Sequence, residues 1–376
     1  MNRNHLAHLL AAVVGLAVLA SLAGCADRPP AGSAGLRQTL DEWRERSGAA
    51  AAVLAVDGPR TTWTGSSGTR RHGAGTVVTA RDRFRVASIT KLFVATVVLQ
   101  LVEEGQLGLA DPLADYLPGF PRAERITLSQ LLDHTSGVPD YTQVEGFGES
   151  LREDRDRVWT PAEVLAVAGR RDAEFEPGSD YAYSNTDFVL LGEVIHAATG
   201  TSWADQVRSR LLDPLGLRHT YVAGADDPHQ PPVVPAYFDV DGDGFQETVE
   251  TGGPWPAQET TEGAAGALVS TAADLMTFGD ALFRGRLLDE ASLAAMTEEG
   301  PHHPRNSNYG LGLEIQRRDY RTTTWGHGGF VPGFRSTLRY LPDHDLLVVE
   351  LVSDSLADPD DLAELAYRCL LTEEPS

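Results

Sequence analysis

Two cysteines in 376 residues, Cys25 and Cys369, exclude a disulfide-built framework. No apolar run reaches the roughly 20 residues that a membrane-spanning helix needs. Positive charge is scarce: 31 Lys and Arg against 54 Asp and Glu leave a net charge of −23, a field that repels phosphate backbones and anionic headgroups and argues against nucleic acid as a partner. Lysine is scarcest of all, for thirty of the 31 basic residues are arginine and Lys91 is the only lysine. What is present is ordinary globular material. With 42% apolar residues the chain can bury a core large enough for one large or two ordinary domains, which excludes disorder.

The first two dozen residues read as a targeting segment, with Arg3, an apolar run over 9–22, then Leu22-Ala23-Gly24-Cys25. Leu-Ala-Gly-Cys resembles the lipobox of bacterial lipoproteins, in which the cysteine is lipidated and becomes the new N-terminus; an ordinary secretory leader is the alternative. Both readings export the protein, and lipidation of Cys25 would anchor it at the outer face of the bacterial cell membrane. The expected organisation is a leader over 1–24, a lipidated N-terminus and tether over 25–37, and one domain over 38–376. Cys369, on a C-terminal helix expected over 361–371, reads as a small buried hydrophobe.

Apolar runs at 50–56 and 61–64 predict a hairpin across Asp57-Gly58-Pro59. Helical patterns dominate the middle, at 89–104, 128–133, 161–170, 186–199, 202–212 and 271–283, and form an insertion over roughly 100–300. Strand patterns return at 310–315, 322–325, 336–341 and 346–352. Strands at both chain ends with helices between predict an α+β fold whose sheet is built from the two ends.

Chemistry starts from the solitary lysine. An arginine-rich chain that keeps one lysine needs there an amine that can exchange a proton near neutrality, which a guanidinium cannot do. In Ser88-Ile89-Thr90-Lys91 the serine and lysine stand three residues apart, on one helix face. A serine with a base in reach is an activated nucleophile. Tyr181-Ala182-Tyr183-Ser184-Asn185 offers a second titrating partner, a tyrosine whose proton a nearby cation would loosen, and an amide to hold substrate and lysine. Trp325-Gly326-His327-Gly328-Gly329-Phe330 offers a wall, its glycines admitting substrate close to a strand edge.

Ser88-x-x-Lys91, Tyr183-x-Asn185 and His327-x-Gly329, in that order, resemble the three signature motifs of penicillin-recognising serine hydrolases, the branch of class C β-lactamases, D-alanyl-D-alanine carboxypeptidases, D-aminopeptidases and related esterases. Further similar stretches are Leu131-Leu132-Asp133-His134-Thr135-Ser136-Gly137-Val138 and Asp213-Pro214-Leu215-Gly216-Leu217. The resemblance implies a β-lactamase/transpeptidase-like fold, an antiparallel sheet flanked by helices plus an all-α region, with the site in the cleft between. It implies that Ser88 attacks a carbonyl while Lys91 and Tyr183 move its proton. Asn185, His327 and Gly329 then hold substrate, and the backbone N–H groups of Ser88 and Phe330 bind the oxyanion. It implies no metal or cofactor. The substrate would be a peptide, amide or ester, with D-amino-acid peptides of peptidoglycan foremost.

Where relatives carry Lys-Thr-Gly or His-Thr-Gly this chain has His327-Gly328-Gly329, lacking the hydroxyl that helps grip a substrate carboxylate. Arg317, Arg318, Arg321 and Arg335 flank that strand; each reads first as a surface charge, with an anchor for a carboxylate as the alternative. His134 reads as a structural histidine in a turn. Asp239, Asp241, Asp243 and Glu250 have calcium-loop spacing, but an acidic β-turn explains them better, since prolines flank the segment. A lipase-like α/β-hydrolase would need a Gly-x-Ser-x-Gly elbow, which does not occur. The other alternative is a catalytically inactive module that binds peptidoglycan or a partner.

Overall fold

The computed structural model describes residues 32–71, 74–226, 233–238, 247–249, 255–301, 307–317, 322–355 and 357–371. The described residues open on helix α1 (Gly32–Ser47), where a tether was expected to run to residue 37. Leu36, Leu40 and Trp43 recur at helical spacing and are buried, so this segment belongs to the folded domain. The expected hairpin follows as β1 (Ala51–Gly58) and β2 (Thr61–Arg71), extended by a third strand, β3 (Ala74–Val77). Short β4 (Phe84–Arg85) leads through a single 3₁₀ turn, Ala87–Ile89, into the buried helix α2 (Thr90–Glu103).

The helical region then runs through α3 (Leu128–Leu132), α4 (Phe147–Glu153), α5 (Pro161–Ala168), α6 (Asn185–Thr199), α7 (Trp203–Val207) and α8 (Asp213–Leu215). Capping boxes at Thr127 with Gln130 and at Thr160 with Glu163 start α3 and α5 where the sequence pattern placed them. Strands β5 (Tyr221–Val222), β6 (Ala236–Phe238) and β7 (Glu247–Val249) precede α9 (Pro256–Gly266), β8 (Leu268–Ser270), α10 (Ala272–Phe283) and α11 (Glu290–Met296). The insertion is thus mainly, not purely, helical: it contains the small sheet β6-β7, and its β5 and β8 join the earlier β4 in a sheet of order β4-β8-β5.

The last part carries β9 (Ser307–Tyr309), β10 (Glu314–Arg317), β11 (Thr323–Val331), β12 (Phe334–Leu341), β13 (Leu346–Val352) and α12 (Pro359–Leu371). The run at 310–315, expected as one strand, is broken: Gly312 has φ +79°, and the Gly310 N–H donates to the Leu313 carbonyl at 2.9 Å. Its leucines still face the core, Leu313 fully buried.

The two chain ends meet in one eight-stranded antiparallel sheet, order β3-β2-β1-β13-β12-β11-β10-β9. The central strands are covered on both faces. Ala51, Val53 and Ala55 of β1 face a core shared with α2 and α10, while Ala52, Leu54 and Val56 face α1 and α12, and β13 alternates in the same way. That explains continuous apolar runs instead of an apolar–polar alternation. Cys369 is buried in the second layer, as expected. Across the main core the Phe93 ring of α2 stacks on Phe278 of α10, both fully buried. Phe278→Ala should lower unfolding free energy by about 3–5 kcal/mol in urea denaturation, since the ring's contacts vanish and the packed surroundings cannot collapse into the space; a loss below about 1 kcal/mol would contradict this packing.

Candidate active site

The site forms where α2 begins, between the sheet's β11 and the segment leading into α6. Ser88 stands in the 3₁₀ turn after Ala87, whose φ of +47° is unusual for a residue with a side chain. Two paired residues of the sheet hold this strained turn: the Ser336 hydroxyl of β12 donates to the Val86 carbonyl at 2.8 Å, and Gly329 of β11 lies directly against it. A Cβ at Gly329 would sit 2.3 Å from the Val86 carbonyl oxygen and 2.3 Å from Ser336 Oγ. The glycine therefore admits the nucleophile-bearing turn, a packing role beyond the substrate contact that the sequence led us to expect. Strand β10 ends opposite Gly326, so β11 from His327 onward pairs with β12 alone and leaves its other edge to this turn.

Lys91, one turn on, is fully buried beneath the cleft. Its Nζ lies 3.2 Å from Ser88 Oγ, 2.8 Å from Asn185 Oδ1 and 2.8 Å from the Ala265 carbonyl oxygen. Burial pulls its pKa down from 10.5 to about 7, against Asp140, Glu314, Glu262 and Asp187, which act to raise it. A neutral amine has two hydrogens and one lone pair. Two of its three neighbours only accept, so both hydrogens go to them and the lone pair faces Ser88, the one neighbour with a proton to give.

The Tyr183 hydroxyl donates to Ser88 Oγ at 3.0 Å. Lys91 Nζ also lies 4.9 Å from the Tyr183 ring centre. The expectation that a nearby cation loosens the phenol proton is overturned: burial outweighs the hydrogen bond to Ser88 and drives Tyr183 well above its ordinary range. Tyr183 is a proton donor at rest, and the amine is the acceptor. His134 keeps the structural role expected of it. Buried, with φ +61°, it places Nδ1 3.0 Å from Asp187 and packs its ring 4.4 Å from that of Tyr183.

The opposite wall is His327-Gly328-Gly329-Phe330. Burial lowers the His327 pKa to about 4 despite nearby Glu314, so the ring is neutral at physiological pH. The Tyr309 hydroxyl lies 2.9 Å from Nε2 and Nδ1 faces the Gly328 carbonyl, so the ring hydrogen belongs on Nδ1. Burial would raise the Glu314 pKa, but the Arg339 guanidinium holds it down to about 2.

The resulting cleft, about 410 Å³, is lined by Ser88, Tyr183, Asn185, His327, Gly329 and Phe330 among others, which brings together the residues of all three motifs. Of the arginines, Arg335 lines the cleft, its Nε donating to the Ser355 carbonyl at 2.7 Å and its guanidinium lying 5.1 Å from the Phe330 ring centre. Arg317 is paired with Glu299. Arg318, Arg321, Cys25, Asp239, Asp241, Asp243 and Glu250 lie outside the described residues. Strands β6 and β7 pair with each other. Sequence reasoning missed Asp140, Tyr309 and Glu314. Asp140 follows a quoted motif by two residues, while Tyr309 and Glu314 carry no local signal.

Residues 36–371 match the family model described as beta-lactamase. The chain belongs to the beta-lactamase family. It is a serine hydrolase of that family, similar at 35% identity to the D-stereospecific amidohydrolase from Streptomyces sp., with a TM-score of 0.78 over 88% of this chain and 96% of that one. It also resembles the D-amino acid amidase from Ochrobactrum anthropi SV3, at 28% identity and TM-score 0.76 over 89% and 96% of the two chains. Penicillin-binding protein 4* of Bacillus subtilis is 27% identical over 84% of this chain and 70% of its own length. Penicillin-binding protein 4 of Amycolatopsis lactamdurans is 29% identical over 70% of this chain, a match spanning 66% of that relative. The expected fold is thereby met, an antiparallel sheet flanked by helices with a helical region beside it.

In a beta-lactamase-family site built on this amine, kcat/KM should rise with pH through an apparent pKa near 7, falling about tenfold per unit below it, because only the unprotonated Lys91 accepts the Ser88 proton. Lys91→Arg keeps the charge but abolishes the acceptor, and should cost at least about a hundredfold in kcat/KM. Near-normal kinetics in that variant, or a flat profile between pH 5.5 and 8, would remove the amine from the mechanism.

Proposed function

We propose that this chain is an amidohydrolase for small D-amino-acid amides and peptides that carry a free amine, working through an acyl-enzyme on Ser88. Ser88 Oγ attacks the carbonyl carbon as its proton passes to Lys91 Nζ. The backbone N–H groups of Ser88 and Phe330 stabilise the oxyanion. The leaving nitrogen takes the Tyr183 proton, and the Lys91 ammonium returns a proton to the phenolate, which leaves the amine neutral again. Water then hydrolyses the ester: it gives a proton to the amine as it attacks, and that proton passes on to Ser88 Oγ as the acyl group departs.

The observation that carries the choice of substrate is the cleft's charge. Among its described lining residues are four carboxylates, Asp140, Glu314, Asp358 and Asp360, and one guanidinium, Arg335, while His327 is neutral. Such a lining favours a cationic amine over a terminal carboxylate. The wall also lacks the hydroxyl that the related motif would put at Gly328. Likeness to the two D-specific amidohydrolases supports the same reading. Arg335 favours a second reading, a carboxypeptidase acting on D-Ala-D-Ala termini, and the panel below separates the two.

In a panel of D-amino-acid amides and p-nitroanilides, a D-Ala-D-Ala peptide, p-nitrophenyl esters and a chromogenic cephalosporin, the D-amino-acid amides should give the highest kcat/KM. N-acetylation should lower it by about tenfold or more, and Ser88→Ala should abolish turnover. Faster cleavage of the D-Ala-D-Ala peptide, or indifference to the acetyl group, would overturn the amine-directed reading. Failure of a fluorophosphonate to label Ser88 would favour an inactive binding module.

We further propose that the protein is exported and lipid-anchored through Cys25, on the strength of Leu22-Ala23-Gly24-Cys25 after its apolar run. Among the described residues no helix is long and apolar enough to cross a membrane. Expressed in a bacterial host, the wild type should partition into detergent and Cys25→Ser into the aqueous phase; identical partitioning would refute the anchor.

A further inference from the structure

Asn185 has an amide that can point either way, and its direction decides what Lys91 meets. One end of that amide faces the amine, with Oδ1 2.8 Å from Nζ. The other end faces Asp140, with Nδ2 donating to Asp140 Oδ2 at 2.9 Å. A carboxylate only accepts, so Asp140 admits the N–H₂ end and repels the carbonyl end. Asp140 itself is fixed. It is buried, its Oδ1 accepts the Thr142 N–H at 2.9 Å, and its neighbour's N–H, that of Tyr141, donates to Thr186 Oγ1 at 3.0 Å. The Thr186 hydroxyl in turn donates to the Pro139 carbonyl at 2.7 Å, which ties this loop to the first turn of α6.

We propose that Asp140 is the positioning residue of the proton-transfer site, fixing the Asn185 amide so that the Lys91 lone pair is left facing Ser88. The inference rests on the serine–lysine reading above. The chain of contacts runs carboxylate, amide, amine, hydroxyl. With Asn185 Oδ1 and the Ala265 carbonyl taking the two amine hydrogens, no other orientation of the lone pair keeps both bonds. Were the Asn185 amide reversed, its N–H₂ would compete with Ser88 for that lone pair.

Asp140 is also singular in its charge. Four carboxylates act on Lys91: Asp140, Glu314 of β10, Glu262 of α9 and Asp187 of α6. Glu314 is paired with Arg339, and Glu262 with Arg85 at 2.6 Å. Burial drives Asp187 well above its ordinary range, toward the neutral acid. The other groups facing the amine are the Tyr183 phenol and the neutral His327 ring. Among the described residues Asp140 has no guanidinium within salt-bridge distance, so its charge acts on the amine without a counter-cation beside it.

The test is the pH dependence of two rates on the full-length enzyme: kcat/KM for the best amide of the panel, and the rate of Ser88 modification by a fluorophosphonate. In Asp140→Asn both acid limbs should move about one pH unit below the wild-type value, since a counter-charge at this range holds an amine's proton. The plateau should fall about tenfold or more, because the amide loses its fixed direction. Asp140→Glu, which keeps the charge on a longer arm, should lower the plateau while leaving the limb in place. Should Asp140→Asn fold poorly, Asp140→Ser keeps a cap for the Thr142 N–H and makes the same prediction. Neutral variants that fold like the wild type and keep the wild-type limb would overturn the proposal and leave Asp140 a loop cap. A wild type that takes no label at Ser88 at any pH would instead overturn the serine–lysine reading beneath it.

Discussion

One primary amine, buried without solvent between two obligate acceptors, sets the terms for everything around it. Lys91 sits on a helix whose other buried side chains are almost all apolar, and it is fully enclosed. An ammonium there would keep its charge in a medium that solvates it poorly. A pKa near 7 in place of 10.5 corresponds to a penalty on the order of 5 kcal/mol for the charged form relative to water. The same burial that makes the amine neutral makes it a base, and the two carbonyl oxygens at 2.8 Å make it a directed one. The three-residue spacing from Ser88 then brings the hydroxyl to the lone pair, with Tyr183 donating from the other side.

The sheet's part is to hold the serine still. Ala87 adopts a backbone conformation that costs an alanine on the order of 1 kcal/mol, and nothing local repays it. The compensation is long-range: Ser336 and Gly329 come from strands about 240 residues later and close on Val86. Such a contact exists only once both chain ends have joined the same sheet, so the nucleophile is set by the fold as a whole and not by its own helix. The open edge of β11 faces this turn for the same reason, since β10 reaches no further along β11 than Gly326.

That division accounts for what could be read from the sequence. A lone lysine in an arginine-rich chain, its spacing from Ser88, and the helices with capping boxes are local or compositional facts, and they stood. The break between β9 and β10 was hidden because alternating Gly and Leu at 310–313 look like a strand until the Gly312 backbone is seen. Helix α1 was missed because a small-residue start masks the Leu36, Leu40, Trp43 spacing that buries it against α12. The proton state of Tyr183 was misjudged because a sequence shows that a cation can be near but not how much solvent is lost with it. Asp140, Tyr309 and Glu314 each act through a partner 18 or more residues away, His327 from Tyr309, Arg339 from Glu314 and Asn185 from Asp140. No local pattern encodes such a pair.

The wall opposite the serine turns on the same physics of burial. A lysine or a protonated histidine at position 327 would give the cleft a cation where a substrate carboxylate arrives. Here the ring is enclosed, held by Tyr309 and neutral, and the charge of Glu314 is met from behind by Arg339. The other charged residues of the described lining are acidic apart from Arg335. The chain's net charge of −23 extends the same sign outward. At physiological ionic strength screening over about 8 Å leaves distant charges little influence, so selection between an approaching amine and an approaching carboxylate falls to the few groups inside the cleft. Asp358 and Asp360, at the start of α12, come from the layer that also covers α1. The helix that seals the back of the sheet thus also supplies acid to its front rim, which couples substrate preference to the part of the fold that the two chain ends build together.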